Sequence, residues 1–150
     1  MAQATGQITF RDCQIDISIN GTTWTDISGY ANSIGVGGGE RSIGEFFTAD
    51  GDTPLLGAGK RSALEITSKI VYTEGASDPF ETIRQAYENT TPFYIRFSPK
   101  GGDVGEFMFT SGSGIVKNAP YPQGEVQEGE PTSIEFTVVV PSLTKSVVSA

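Results

Sequence analysis

Few residues in this chain could do chemistry, and their spacing rules most of it out. None of the 150 residues is a histidine. That removes His-based triads and dyads, imidazole metal sites and the side chain that titrates near neutral pH. Cys13 is the single cysteine, so neither an internal disulfide nor a thiolate zinc cage can be built, and a small buried side chain is its ordinary role. Gly37, Gly38 and Gly39 suggest a phosphate-binding loop but run into Glu40 and do not continue as G-x-G-x-x-G. Gly57-Ala-Gly-Lys-Arg-Ser62 approaches a Walker A loop, with Pro54 where the first glycine belongs and Arg61 where Ser or Thr must follow Lys60. Asp50-Gly-Asp52 is too short and incomplete for a calcium loop.

The 18 acidic residues include enough carboxylates for a glycosidase pair, but they are scattered through loops and solvent faces, where hydration is their usual function. Phe93, Tyr94, Phe97, Phe107 and Phe109 could form an aromatic binding platform. At strand spacing, alternating aromatics more often build a core. No catalytic, cofactor-binding or metal-ligating residue is therefore expected, and no cofactor.

Ten basic against 18 acidic side chains give a net charge of −8. Such a balance repels phosphate backbones and argues against gripping nucleic acid, though not against a surface that DNA slides past. The length fits one domain burying about two-thirds of the surface of its unfolded chain. Nineteen glycines cluster between apolar runs without a fixed period, which marks turns and loops. No stretch approaches the roughly 18 apolar residues of a membrane span. The opening MAQATGQITF lacks a signal peptide's basic and apolar regions, so synthesis in the cytosol without a secretion tag and no membrane partner are expected.

The elements that must position these residues centre on Lys60 to Pro99, which reads as strand, helix, strand. Asp78 is a natural N-cap, Pro79 suits the first helical position and Glu81 completes a capping box. Phe80, Ile83, Ala86 and Tyr87 share one face, Asn89 suits a left-handed end, and Pro92 cannot continue the helix. The spacing predicts a helix over about 78–89. Leu64, Ile66, Ile70 and Tyr72 alternate with Glu65, Thr67 and Lys69 before it; Phe93, Ile95 and Phe97 alternate with Tyr94 and Arg96 after it. These two strands are expected beside one another.

Ile8 to Phe10 is expected as a short opening strand. Cys13, Ile15, Ile17 and Ile19 predict a strand, and Asn20-Gly21 a two-residue type I′ turn into Thr22–Ile27. Residues 32–44 are too rich in glycine for a regular strand and predict a bulged strand or loop. A long loop over 48–59 carries Leu55 and Leu56, Glu106–Thr110 and Ile115–Lys117 are short strands, Glu125–Glu130 is a loop, and Ser133–Val140 is the last strong strand. Residues 142–150 are expected as a tail that is disordered or docks on a partner subunit. The class predicted is mainly β, a sandwich or barrel of antiparallel strands with one flanking helix and long loops.

The order of these elements, with the phrases Thr-Thr-Trp-Thr-Asp-Ile-Ser, Gly59-Lys-Arg-Ser-Ala-Leu-Glu-Ile-Thr, Asp-Pro-Phe-Glu-Thr-Ile-Arg-Gln-Ala-Tyr-Glu and Thr91-Pro-Phe-Tyr-Ile-Arg-Phe, resembles the phage major tail protein family. These are tail tube subunits of long-tailed, non-contractile phages, similar to the inner-tube proteins of contractile tails and type VI secretion. The resemblance covers residues 7–141 and implies a homo-oligomer of hexameric rings stacked into a hollow tube, a virion location, and tape-measure, terminator and distal tail proteins as partners. Phage DNA would transit the lumen without specific binding. Strand parity puts Glu65 and Glu135 on the face expected to line an acidic or polar bore; Asp50, Asp52, Leu55 and Leu56 are expected at contacts between rings. The rival from the residues alone is a monomeric β-sandwich module binding carbohydrate or a cell surface.

Overall fold

The sequence alternations become two antiparallel sheets around one apolar interior in a computed structural model that describes residues 2–126 and 129–150. The order is β1 (Gln14–Ser18), β2 (Thr25–Asp26), β3 (Ala31–Gly38), β4 (Arg41–Phe46), β5 (Leu55–Arg61), β6 (Leu64–Val71), α1 (Pro79–Asn89), β7 (Tyr94–Ser98), β8 (Phe107–Ser111), β9 (Ile115–Val116), β10 (Ser133–Val140) and β11 (Leu143–Val147). One sheet runs β11-β8-β7-β1-β2 and the other β3-β6-β10-β9, while β4 and β5 pair with each other as a separate ribbon. The mainly β class with one helix is as the sequence predicts.

Both sheets contribute to the core. Ile15, Ile17, Ile95 and Phe97 come from the first, Ile66, Ile70, Val116, Ile134, Phe136, Val138 and Val140 from the second. Phe93 and Phe136 meet edge to face across it, centroids 6.1 Å apart, a geometry that suits the ring quadrupoles. Helix α1 buries Phe80, Ile83 and Ala86 against this core, as their spacing requires. Its N-terminus differs from the expected capping box. Asp78 has extended backbone, but its Oδ2 accepts from the Gly75 N–H at 2.9 Å, and Glu81 instead takes bonds from Arg84 and Gln85. The left-handed end falls on Thr90 (φ 52°), one residue past Asn89.

Several connections depart from the sequence expectation. Residue 8 is outside any strand, and Phe10–Asp12 form a 3₁₀ turn. The register Asp16↔Asp26 and Ile17↔Thr25 is incompatible with a two-residue Asn20-Gly21 turn. The Asn20 side chain accepts from the Thr22 and Thr23 N–H groups, and Ser18 Oγ from those of Asn20 and Gly21, which holds a wider loop. Ile19 is therefore exposed, while Asp16 is buried with its carboxylate on Arg96 Nε at 2.8 Å. β6 and β7 do not pair; α1 carries the chain from one sheet to the other. Residues 142–150 are not a free tail, since β11 extends the first sheet along β8. Glu125–Glu130 lies partly outside the described residues.

Phe136→Ala should cost about 3–5 kcal/mol by leaving a cavity under both sheets, read as a lower urea midpoint at unchanged slope. The Arg84 guanidinium, bonded to Glu81 at 2.6 Å, holds that carboxyl down at about 2 against an ordinary 4.5. A depressed carboxylate contributes stability above its unfolded value and loses it as pH falls through the folded one. Arg84→Ala should return the Glu81 titration toward 4.5 in NMR, and its stability difference from the parent should vanish between pH 4.5 and 2.

Candidate assembly surfaces

The outer face of the four-stranded sheet is polar by register. β6 and β10 pair over eight residues, setting Glu65 opposite Val139, Thr67 opposite Thr137 and Lys69 opposite Glu135 on the side away from the core. Glu65 Oε1 accepts from Lys117 Nζ at 2.7 Å, and the two threonine hydroxyls lie 3.1 Å apart. Glu65 and Glu135 thus share one face, each with a lysine on the same surface. The chain's acidic excess is not concentrated here. β3 is this sheet's long free edge; a side chain at Gly35 or Gly37 would meet nothing within 4 Å. Beside the face, Lys69, Asn118, Tyr121 and Glu135 border a polar recess of about 410 Å³.

A second surface is the β4–β5 ribbon, whose second strand takes residues 55–59 of the stretch expected as a long loop. Only residues 47–54 connect its strands, with Asp50 and Asp52 exposed in the turn. Leu55 and Leu56 lie not at a loop tip but in β5, opposite Phe46 and Glu45. Pairing places Phe46 and Leu55 on one face with Gly44 and Gly57, and Ile43 and Leu56 on the other with Ala58. Phe46, Leu55, Leu56 and Ile43 are 68%, 61%, 71% and 58% exposed, so neither face has a partner within the chain. A lone two-stranded ribbon is marginal in water. Apolar side chains on both of its faces mark it for contact with other molecules. At its root Gly38 and Gly39 both have positive φ, and a Cβ on Gly38 would lie 2.6 Å from the Ala63 carbonyl.

The third surface is an apolar groove of about 320 Å³ beside β8 of the five-stranded sheet, lined by Ile8, Pro99, Lys100, Glu106, Phe107 and Phe109. Phe93 and Phe97 are core residues, so the aromatics counted in the sequence do not assemble into one platform. Cys13 is half-buried and burial pushes its thiol up, away from thiolate. Among the described residues no three His, Cys, Asp or Glu side chains group as a metal site. No helix among them is long and apolar enough to cross a membrane. The structure places Glu65 and Glu135 on the outer sheet face and Leu55 and Leu56 in β5, beside Phe46, Ile43 and the groove, which the sequence did not single out.

This arrangement of two facing sheets, one helix and a projecting ribbon is the tail-tube fold. The SPP1 tail tube superimposes with a TM-score of 0.72 at 16% identity, over 96% of this chain and 81% of that one. The tail of the gene transfer agent particle, refined with C6 symmetry, gives 0.66 at 12% over 98% and 100%. The sheath–tube complex of the extracellular contractile injection system PVC gives 0.65 at 12% over 95% and 93%. No protein-family model matches the chain, and no curated protein does.

Because the ribbon's apolar side chains touch little of their own chain, Leu55→Ser with Leu56→Ser should change the isolated monomer's stability by less than about 1 kcal/mol in urea unfolding. A larger loss would show that the ribbon is held by its own domain.

Proposed function

We propose that this chain is a structural tail tube subunit that polymerises as stacked hexameric rings around a lumen for phage DNA. The observation that carries the proposal is the fold match over almost the full length of this chain, to the SPP1 tube among others. The outer face of β3-β6-β10-β9, with Glu65 and Glu135, lines the bore. The free β3 edge finishes its hydrogen bonding on the neighbouring subunit, hiding an edge that would otherwise aggregate. Glu65 and Glu135 balance Lys69 and Lys117 on this face, which leaves the wall polar without a net positive charge to hold DNA through many phosphate contacts.

The ribbon, with Asp50, Asp52, Leu55 and Leu56, makes the contacts between rings. Tape-measure, terminator and distal tail proteins are the partners in the tail of the virion, reached after synthesis in the host cytoplasm. The match to a tube-terminating cap and a baseplate chain supports that setting.

Concentrated protein should form hollow tubes or six-fold rings in negative stain, and globules alone at every concentration and salt would overturn the reading. Excising residues 41–61 and closing the gap with a short glycine link should leave a folded monomer that builds no tubes, as seen by circular dichroism and microscopy together. Normal tubes from that variant would remove the ribbon from ring stacking.

A further inference from the structure

The ribbon and the groove share no residue. The ribbon's root is pinned by the Gly39 N–H on the Ala63 carbonyl and the Ser62 N–H on the Glu40 carbonyl, next to Leu64, which pairs with Val140. Three residues later the chain enters β11 at Leu143, opposite Ser111, and runs to Val147, opposite Phe107 in the groove. The five residues of β11, roughly 17 Å of extended chain, thus lead from the side of the root to the socket.

The two surfaces also match in character. The groove holds about 320 Å³, about twice the ~150 Å³ that admits one benzene ring, so a phenyl ring and a second aliphatic side chain fit. Phe46 and Leu55 are that pair on one ribbon face. Beside them Gly44 and Gly57 oppose each other, and a Cβ on either would meet nothing within 4 Å. Their bare backbone is a floor on which a flat ring can lie, and Phe107, 49% exposed, is such a ring at the groove mouth. Charge agrees with shape. From Phe46 to Gly59 the only charged residues are Asp50 and Asp52. The groove carries Lys100 at its rim and Lys145, whose Nζ sits 4.4 Å over the Phe107 ring. The groove's own carboxylate, Glu106, accepts from the Asp103 N–H at 2.8 Å.

We infer that the occupant of this groove is the Phe46–Leu55 face of the ribbon of a second copy of this chain, with Asp50 and Asp52 reaching Lys100 and Lys145. This rests on the stacked-ring reading and names the socket that the ribbon enters. The contact is heterologous, since the ribbon and the groove do not overlap, and copies joined this way form an open stack when the rotation between them does not close into a ring.

Equal amounts of unlabelled and ¹⁵N-labelled wild-type protein, assembled together and treated with a carbodiimide, should yield peptides joining Asp50 or Asp52 to Lys100 or Lys145 as mixed light–heavy pairs. Tubes or rings whose ribbon carboxylates couple only to other lysines, or only within one chain, overturn this inference and leave the tube reading standing. A chain that remains monomeric overturns both. As a second measurement, Phe107→Ser should raise the critical concentration for tube growth about tenfold or more without lowering the monomer's melting temperature. An unchanged critical concentration would also overturn it.

Discussion

The eight-residue ladder between β6 and β10 is the constraint on which the rest depends. Its register puts Ile66, Ser68 and Ile70 with Val138, Phe136 and Ile134 on the core side, and Glu65, Thr67 and Lys69 with Val139, Thr137 and Glu135 on the other. A slip of one residue would exchange the two sets, burying charges and exposing the largest core side chains. The ladder also carries the neighbours. Ser68 sits fully buried in the apolar row because its hydroxyl donates to the Ser33 carbonyl at 2.7 Å, where β3 is bulged between Ala31 and Ser33. That bond satisfies the polar group and fixes the edge strand at its irregular point.

Elsewhere, side chains replace missing ladder bonds in the same way. The Ile15 N–H donates to Ser28 Oγ, the Ile95 N–H to Ser111 Oγ, and Ser98 Oγ to the Phe107 carbonyl. Ser98 and Ser111, at the ends of β7 and β8, thus help keep these two strands in one sheet although their direct pairing is brief. β7 and β8 share only Arg96↔Thr110 and Phe97↔Phe109. A similar economy holds across the interior, where Gly114 brings β9 against β10; a Cβ there would lie 2.6 Å from Val140 Cγ1.

The elements legible in the sequence were those with one wet and one dry face. β6, α1, β7 and β10 show their period because burial selects alternate or every third and fourth residues. The turn after β1 misled because Ser18 and Asn20 side chains compete for the backbone N–H groups that a tight turn would leave to the strands. The capping box failed because Arg84 and Gln85 both draw Glu81 along the helix surface. The ribbon and β11 were not legible, since neither has a buried face in this chain to impose a pattern; every residue of β4 and β5 is exposed. Glu65 and Glu135 were readable by parity alone. The groove, assembled from residues distant in sequence, left no local trace.

The separation of ribbon and groove has a consequence for size. If copies join head to tail as proposed, each added layer presents the same surface as the one beneath, so the ribbon–groove contact does not itself register how many layers precede it. Growth would then end only when material runs out or something else intervenes. A fixed length, if the assembly has one, must be imposed by a ruler or stopper encoded elsewhere.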